Sequence, residues 1–230
     1  MSQAYLCDMF VVGSPPISVR LRRNPRAKRL TLRLSRLDGQ ATLTVPARVS
    51  DAKALAFVEA QEGWLRKQIA AAPERQEAAL GGMLMFRGEP HKIIPGKRVR
   101  CMDGQITAPD NPGPRLQAFL RVEARNAIAP LVDQYAARVR RPVNRLTLRD
   151  TRSRWGSCSG EGNLMFSWRL VMAPPIVLEY VVAHEVAHLV EMNHSDAFWQ
   201  VVADLMPDYD AHRGWLREHG AALHAFDFTA

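Results

Sequence analysis

The spacing of hydrophobic and polar residues changes period several times along the chain. Leu30-Thr31-Leu32-Arg33-Leu34 alternates at strand period, Asp38-Gly39 is a turn signal, and Ala41–Val45 supplies a return strand. Together these predict a β-hairpin with a basic edge. Ser50 is placed to cap a helix over 51–72, with Leu55, Val58, Trp64, Leu65 and Ile69 as core positions. Residues 73–82 are polar and end in two glycines, which reads as a loop or linker; short strands are expected over 83–87, 91–94 and 98–102. Residues 103–114 hold three prolines and suggest a boundary between two domains, 1–112 and 113–230. A long helix is expected over 116–139, kinked or divided at Pro130, then a strand over 143–148. A polar loop, 150–159, surrounds Trp155, and 164–171 alternates as a strand. After Pro174-Pro175 comes an apolar run that starts a helix. Val177, Leu178, Val181, Val182, Val186, Leu189 and Val190 make that helix apolar on several sides, so it belongs in a core.

The same helix carries residues that a core does not ordinarily hold. His184, Glu185 and His188 form an HExxH pattern, and His194 follows. Helix positions four apart share a face, so His184 and His188 present two imidazoles to one point. Glu185 sits beside them, able to reach a water without becoming a ligand. Two neutral nitrogens with an open position suit a zinc ion, one Zn2+ per chain, and the carboxylate suits proton transfer. As ordinary core residues, two unpaired buried histidines would be costly, whereas a metal satisfies both. Catalytic zinc takes three protein ligands. His194 is the expected third, ahead of Asp204 and Glu218 on later helices. A straight helix would put His194 off the metal-binding face, so the chain must stop and bend back. Asn193 is the expected stop, and Ser195 the cap of a new helix over 196–206.

Composition narrows the setting. With 230 residues and 47% hydrophobic content, the chain can bury a sizeable core, and global disorder is excluded. No apolar run approaches the ~20 residues that span a bilayer, so no membrane partner is expected. The N-terminal residues make a poor signal peptide. Cys7, Cys101 and Cys158 are odd in number and lack CxxC spacing, which argues against a disulfide framework and suits a reducing, cytoplasmic compartment. The net charge of +8 is unevenly spread: residues 1–149 balance at +14 and residues 150–230 at −6. The basic half could meet nucleic acid or an acidic partner, though its run over 20–29 has no aromatic for base stacking. The acidic half favours a cation or a basic peptide.

Further site candidates flank the helix. Arg154 could bind a substrate carbonyl, orient a carboxylate, or serve a structural ion pair. Trp155 is expected to pack beneath the metal site, and Cys158 to be a buried structural thiol. Strand residues 164–168 are the candidate edge against which an extended peptide would pair. Tyr209 or His212 could donate to a developing oxyanion, while Phe198 and Trp199 sit at core spacing. His91 is read as structural or solvated.

The stretches RSRWGSCS, WRLVMAPPIVLEYVVAHEVAHLVEMNHSDAFW and MPDY resemble the YgjP-like metallopeptidase family, related to the SprT-like and WLM zinc peptidases. RRNPRAKRLTLRLS, TVPARVS and WLRKQI extend the resemblance to the N-terminal part. One departure is Ser167, where Asn is expected in family members. The resemblance implies an α+β fold with a zincin, minigluzincin-like catalytic core preceded by the hairpin and helix region. It also implies zinc on His184, His188 and His194, Glu185 as general base and acid, and a peptide or protein substrate. Related crosslink-repair proteases act on proteins bound to DNA. With the basic half, that makes a protease of DNA-bound proteins one alternative reading. Another is a nucleic-acid-associated protein with a structural zinc, although the sequence offers no obvious fourth ligand. Hydrolysis of a non-peptide amide would use the same residues.

Overall fold

The computed structural model describes residues 9–35, 39–71 and 74–229. Cys7, Asp38 of the turn signal and the last residue of the helix expected over 51–72 lie outside them. The chain divides into two units, one ending at Glu74 and one beginning at Arg75. Both mix helices with sheets, so the protein is α+β. Among the described residues no helix is long and apolar enough to cross a membrane.

In the first unit, strands β1 (Met9–Val12), β2 (Ile17–Arg23), β3 (Thr31–Leu34) and β4 (Ala41–Val45) form one sheet in the order β1-β2-β4-β3. The expected hairpin is present as β3 and β4, antiparallel, and β2 joins β4 in parallel. Strand alternation sends Val19, Leu21, Ala41, Leu43 and Val45 into the core. It sends Arg20, Arg22 and Arg33 to the other face. The basic run was thus partly a strand, Ile17-Ser18-Val19-Arg20-Leu21-Arg22, whose alternation its arginines obscured. Ser50 caps as expected, its side chain accepting from Lys53 N at 3.4 Å. The helix it starts is divided at Gln61 into α1 (Asp51–Ala60) and α2 (Glu62–Ala70). Ala54, Val58 and Leu65 form its buried stripe, whereas Trp64 and Ile69 are 40% and 38% exposed. Leu55 and Phe57 pack against the same core while partly buried.

The second unit opens with β5 (Gln76–Glu77), then β6 (Met83–Phe86), β7 (Glu89–Pro95), β8 (Arg100–Met102) and β9 (Gln105–Ala108). The last four form a sheet in the order β6-β7-β9-β8. β9 arises within 103–114, and its Ile106 and Ala108 join the core of this unit. His91 packs its ring edge-on to Phe86 at 5.7 Å. Helix α3 (Pro112–Val139) then runs undivided through Pro130. Pro130 and Asn126, whose carbonyl loses its helical donor, are both exposed, so water can satisfy the freed group.

Leu116, Leu120, Ala124, Ile128, Val132 and Tyr135 line one stripe of α3. That stripe packs against helix α4 (Pro175–Ala187) and the tight 3-10 turn Trp168–Met172. Tyr135 Oη donates to Glu179 of α4 at 2.6 Å. Between these helices in sequence lie β10 (Arg145–Arg149), β11 (Gly156–Cys158) and β12 (Asn163–Ser167). They form a sheet in the order β10-β12-β11, with β10 parallel and β11 antiparallel to β12. The residues expected to be a substrate-pairing edge are therefore central, and the outer strand on one side is β11. The chain ends with α5 (Asp196–Leu205), α6 (Tyr209–Leu223) and β13 (Phe226–Asp227), which pairs with β5.

Candidate metal centre

Helix α4 begins at Pro175 with Pro174 before it, as its sequence predicts. It ends earlier than expected. His188 is already the capping residue, with φ −65° and ψ −17°, and Asn193 does not take a left-handed conformation. Leu189 N donates to Val186 O at 2.9 Å and Val190 N to Ala187 O at 3.0 Å, so the last turn closes by tightening. His188 Nδ1 donates to Glu191 O at 3.0 Å and pins the exit. Ser195 Oγ then accepts from Phe198 N at 3.4 Å, starting α5 where expected. Between those two anchors the chain reverses and returns His194 to α4.

The result is a cluster of three imidazoles whose ligand nitrogens lie within 4.8 Å of one another. His194 Nε2 stands 3.1 Å from His184 Nε2. Two nitrogens held at ~2.0–2.1 Å by one tetrahedral zinc lie about 3.3 Å apart, so this spacing fits a shared ion. Burial first, then the neighbouring His188 and His194, push His184 down to about 3, and burial also lowers His188. Both rings are therefore neutral near pH 7, the form that binds metal. His188 has its second nitrogen on a carbonyl, the usual support of a ligating histidine. His184 Nδ1 is buried without a hydrogen-bond partner, so no such bond supports that side of the ring. Phe198 stacks on His188 at 4.4 Å and meets His184 and His194 edge-on at 5.0 and 4.8 Å. Trp199 lies 5.8 Å from His194. These two aromatics, expected only as core, form the bed of the cluster.

Beside the triad, Glu185 is 6% exposed and lines a cleft of about 410 Å³. Burial pushes its carboxyl up to about 8, against the lowering field of Arg154. The carboxylate lies against β11 so closely that a Cβ on Gly156 would fall 2.5 Å from Glu185 Cγ. Gly156 is thus part of the site; a glycine inside a strand would signal such a close approach, but 150–159 reads as a loop from the sequence and the strand appears only in the structure. Tyr180, one helical turn before His184, also lines the cleft and was not singled out from the sequence.

The other candidates separate. Arg154 lines the cleft; Tyr209 and His212 do not. The Tyr209 ring is stacked on Trp199 at 5.4 Å, and His212 is half-buried on α6. Asp204 accepts from Gln200 at 2.9 Å, Glu218 stands beside His219, and neither belongs to the nitrogen cluster. Trp155 is not beneath the triad. It forms a wall of the cleft, 4.6 Å from the His224 ring and against Gly220. Burial, followed by Glu185, pushes the Cys158 thiol up to about 11, which suits a structural cysteine.

The chain matches the YgjP-like, metallopeptidase domain family over residues 28–219. It belongs to that family. This YgjP-like protein is accordingly a peptidase, a hydrolase acting on peptides or proteins, and its family implies a metal ion, typically zinc. No curated protein matches it. Among solved structures it is similar to the metallopeptidase zymogen of Pyrococcus abyssi abylysin, at 18% identity, over 40% of this chain and 92% of that one, with a TM-score of 0.36.

Proposed function

We propose that this YgjP-like peptidase has a zincin core, with zinc held by His184, His188 and His194 and with Glu185 as general base. The observation that carries the reading is the convergence of three imidazole nitrogens beside a buried carboxylate at an open cleft. When bound, the ion would supply a Lewis acid that polarises a carbonyl and acidifies a water. Its charge would also lower the Glu185 carboxyl and keep it ionised near neutrality. Glu185 then takes a proton from water and passes it to the leaving amine. The cleft-lining β11 offers its outer edge to an extended peptide, whose main chain pairs there and leaves its side chains free. Arg154 is placed to meet a substrate carbonyl. The free thiols of Cys101 and Cys158 support a reducing, cytoplasmic setting.

Glu185→Gln should keep stoichiometric metal and lose peptide cleavage by at least 10²-fold, whereas His188→Ala should lose metal. Metal analysis beside a proteomic cleavage screen reads both. Full cleavage by Glu185→Gln would overturn the mechanism, and stoichiometric zinc in His188→Ala the ligand assignment.

A second reading, contact with nucleic acid or with proteins bound to it, draws on the first unit. One face of its sheet exposes Arg20, Arg22 and Arg33, none with an ion-pair partner among the described residues. A DNA mobility shift that falls steeply with salt and weakens in Arg20→Glu/Arg22→Glu would favour it.

A further inference from the structure

We infer that the peptidase selects acidic substrate segments through an arginine-walled groove on the outer face of the β10-β12-β11 sheet. This rests on the peptidase reading above and adds to it a substrate class. The inner face of the sheet turns Leu164 and Phe166 into the core. The outer face is paved by Thr147, Met165 and Ser157, which the strand register sets side by side. Arg145 and Arg149 rise from β10, while Arg152 and Arg154 come from the loop before β11. The groove measures about 670 Å³ and shares Arg154, Ser157 and Cys158 with the catalytic cleft.

A peptide strand added to β11 would alternate its side chains between the two faces of the sheet. One set would enter the cleft beside Glu185, and the other would lie on the outer face beside Ser157, from where a long side chain reaches over the groove. Arg154 stands where the groove meets the cleft, and Arg145 and Arg149 line the groove further across the sheet on β10, against a single lining carboxylate. That carboxylate, Glu161, accepts from the Asn163 side-chain amide at 3.0 Å, and its single charge leaves the lining net positive. Asp150 is held by Arg169 at 2.7 Å. Arg145 and Arg149 have no ion-pair partner among the described residues. The −6 balance of residues 150–230 points to a basic substrate, but screening weakens exposed charges beyond about 8 Å, so an acidic side chain that reaches over the groove meets its arginines first. An acidic peptide fits better than nucleic acid, because the groove opens into the cleft and lies beside a strand edge suited to a peptide main chain.

The test uses zinc-loaded full-length protein and peptides identical except for Glu, Gln or Lys at the positions flanking the scissile bond. The expected kcat/KM favours Glu over Gln by about fivefold at low salt, with Lys below Gln, and the preference shrinks as salt rises. In Arg145→Glu/Arg149→Glu the Glu-to-Gln ratio should fall to one or below, and in Arg145→Gln/Arg149→Gln it should fall part of the way. A wild-type ratio of one, or a ratio unchanged in both variants, overturns the inference and leaves the peptidase reading standing. Fluorescence anisotropy of the labelled Glu peptide on Glu185→Gln protein, with and without the Arg145 and Arg149 changes, is independent of turnover. Arginine-dependent binding there without cleavage by wild type would support the groove while the proposed reaction fails. If the arginine changes abolish duplex DNA binding and leave the peptide ratio alone, the groove is a nucleic-acid site and the inference is wrong.

Discussion

A guanidinium among aromatic rings is stable only when its donors are occupied. Arg169 is 8% exposed and meets that condition. Its Nε and Nη2 reach the two oxygens of Asp150 at 2.7 and 3.2 Å, and Nη1 donates to Leu223 O and Phe226 O at 3.1 and 3.0 Å. Its face lies 4.7 Å from the Trp168 ring. One side chain thus joins the loop that leads to Trp155 to the far end of α6. Arg169→Ala should lower stability by about 2–3 kcal/mol, because it leaves two carbonyls without a donor, whereas Asp150 is 39% exposed and is taken over by water. Arg169→Lys should recover little of this, since an ammonium cannot reproduce the fork. Urea unfolding reads the difference, and a loss under ~1 kcal/mol in the alanine variant would reject the role. At this scale the sequence showed His184 and His188 clearly, because an i, i+4 pair is local. It did not pair Asp150 with Arg169, because fold topology, not spacing, brings them together.

Among elements, the joint between α4 and α5 decides whether the third histidine arrives. Pro175 and Ser195 were legible as start and cap because each acts within one turn of chain. The end of α4 was not, because it closes by tightening at His188 with no glycine or left-handed residue to announce it. The place of β12 at the sheet centre was equally hidden, since strand pairing is non-local. His194 immediately precedes the cap, so the start of α5 should govern metal affinity. Ser195→Ala removes the hydroxyl acceptor, which costs α5 about 1 kcal/mol, and zinc should bind about fivefold more weakly in chelator competition. Unchanged zinc affinity alongside a measurably weakened helix would show that the joint holds His194 without the cap.

Across the whole molecule, acidity should weaken the fold as His224 and then Asp227 take up protons. Burial first, then the fields of Arg169 and Arg152, hold His224 down to about 4, although Asp150 works in the opposite direction. The unfolded chain titrates this group near its ordinary 6.5 and so binds more protons between about 6.5 and 4. The contribution of His224 to stability is therefore full above that window and falls as pH drops through it; in metal-free protein His184, held down to about 3, adds to the fall, and Glu185, held up to about 8, opposes it. Asp227 is shifted below the usual carboxylate value by its hydrogen bonds from Thr229, so its contribution is lost only at more acid pH. In metal-free protein the midpoint of thermal unfolding should decline from pH 6.5 towards 4, and His224→Gln should decline less steeply. Equal slopes would exclude His224 as a source. The sequence showed the basic and acidic halves of the chain but not where their charges meet. Arg145 and Arg149 come from one half and Arg152 and Arg154 from the other, and folding places all four around one groove.

The closeness of Gly156 to Glu185 has an evolutionary consequence. A methyl group at 156 would sit inside the volume now filled by the glutamate stem. Aspartate, one methylene shorter, would relieve the overlap but draw the carboxylate back from the triad. A side chain at 156 therefore requires the glutamate stem to move, and pairing it with aspartate at 185 would also move the carboxylate proposed as the proton acceptor. The two positions are therefore sterically coupled, so a change at 156 is accommodated only with a change at 185.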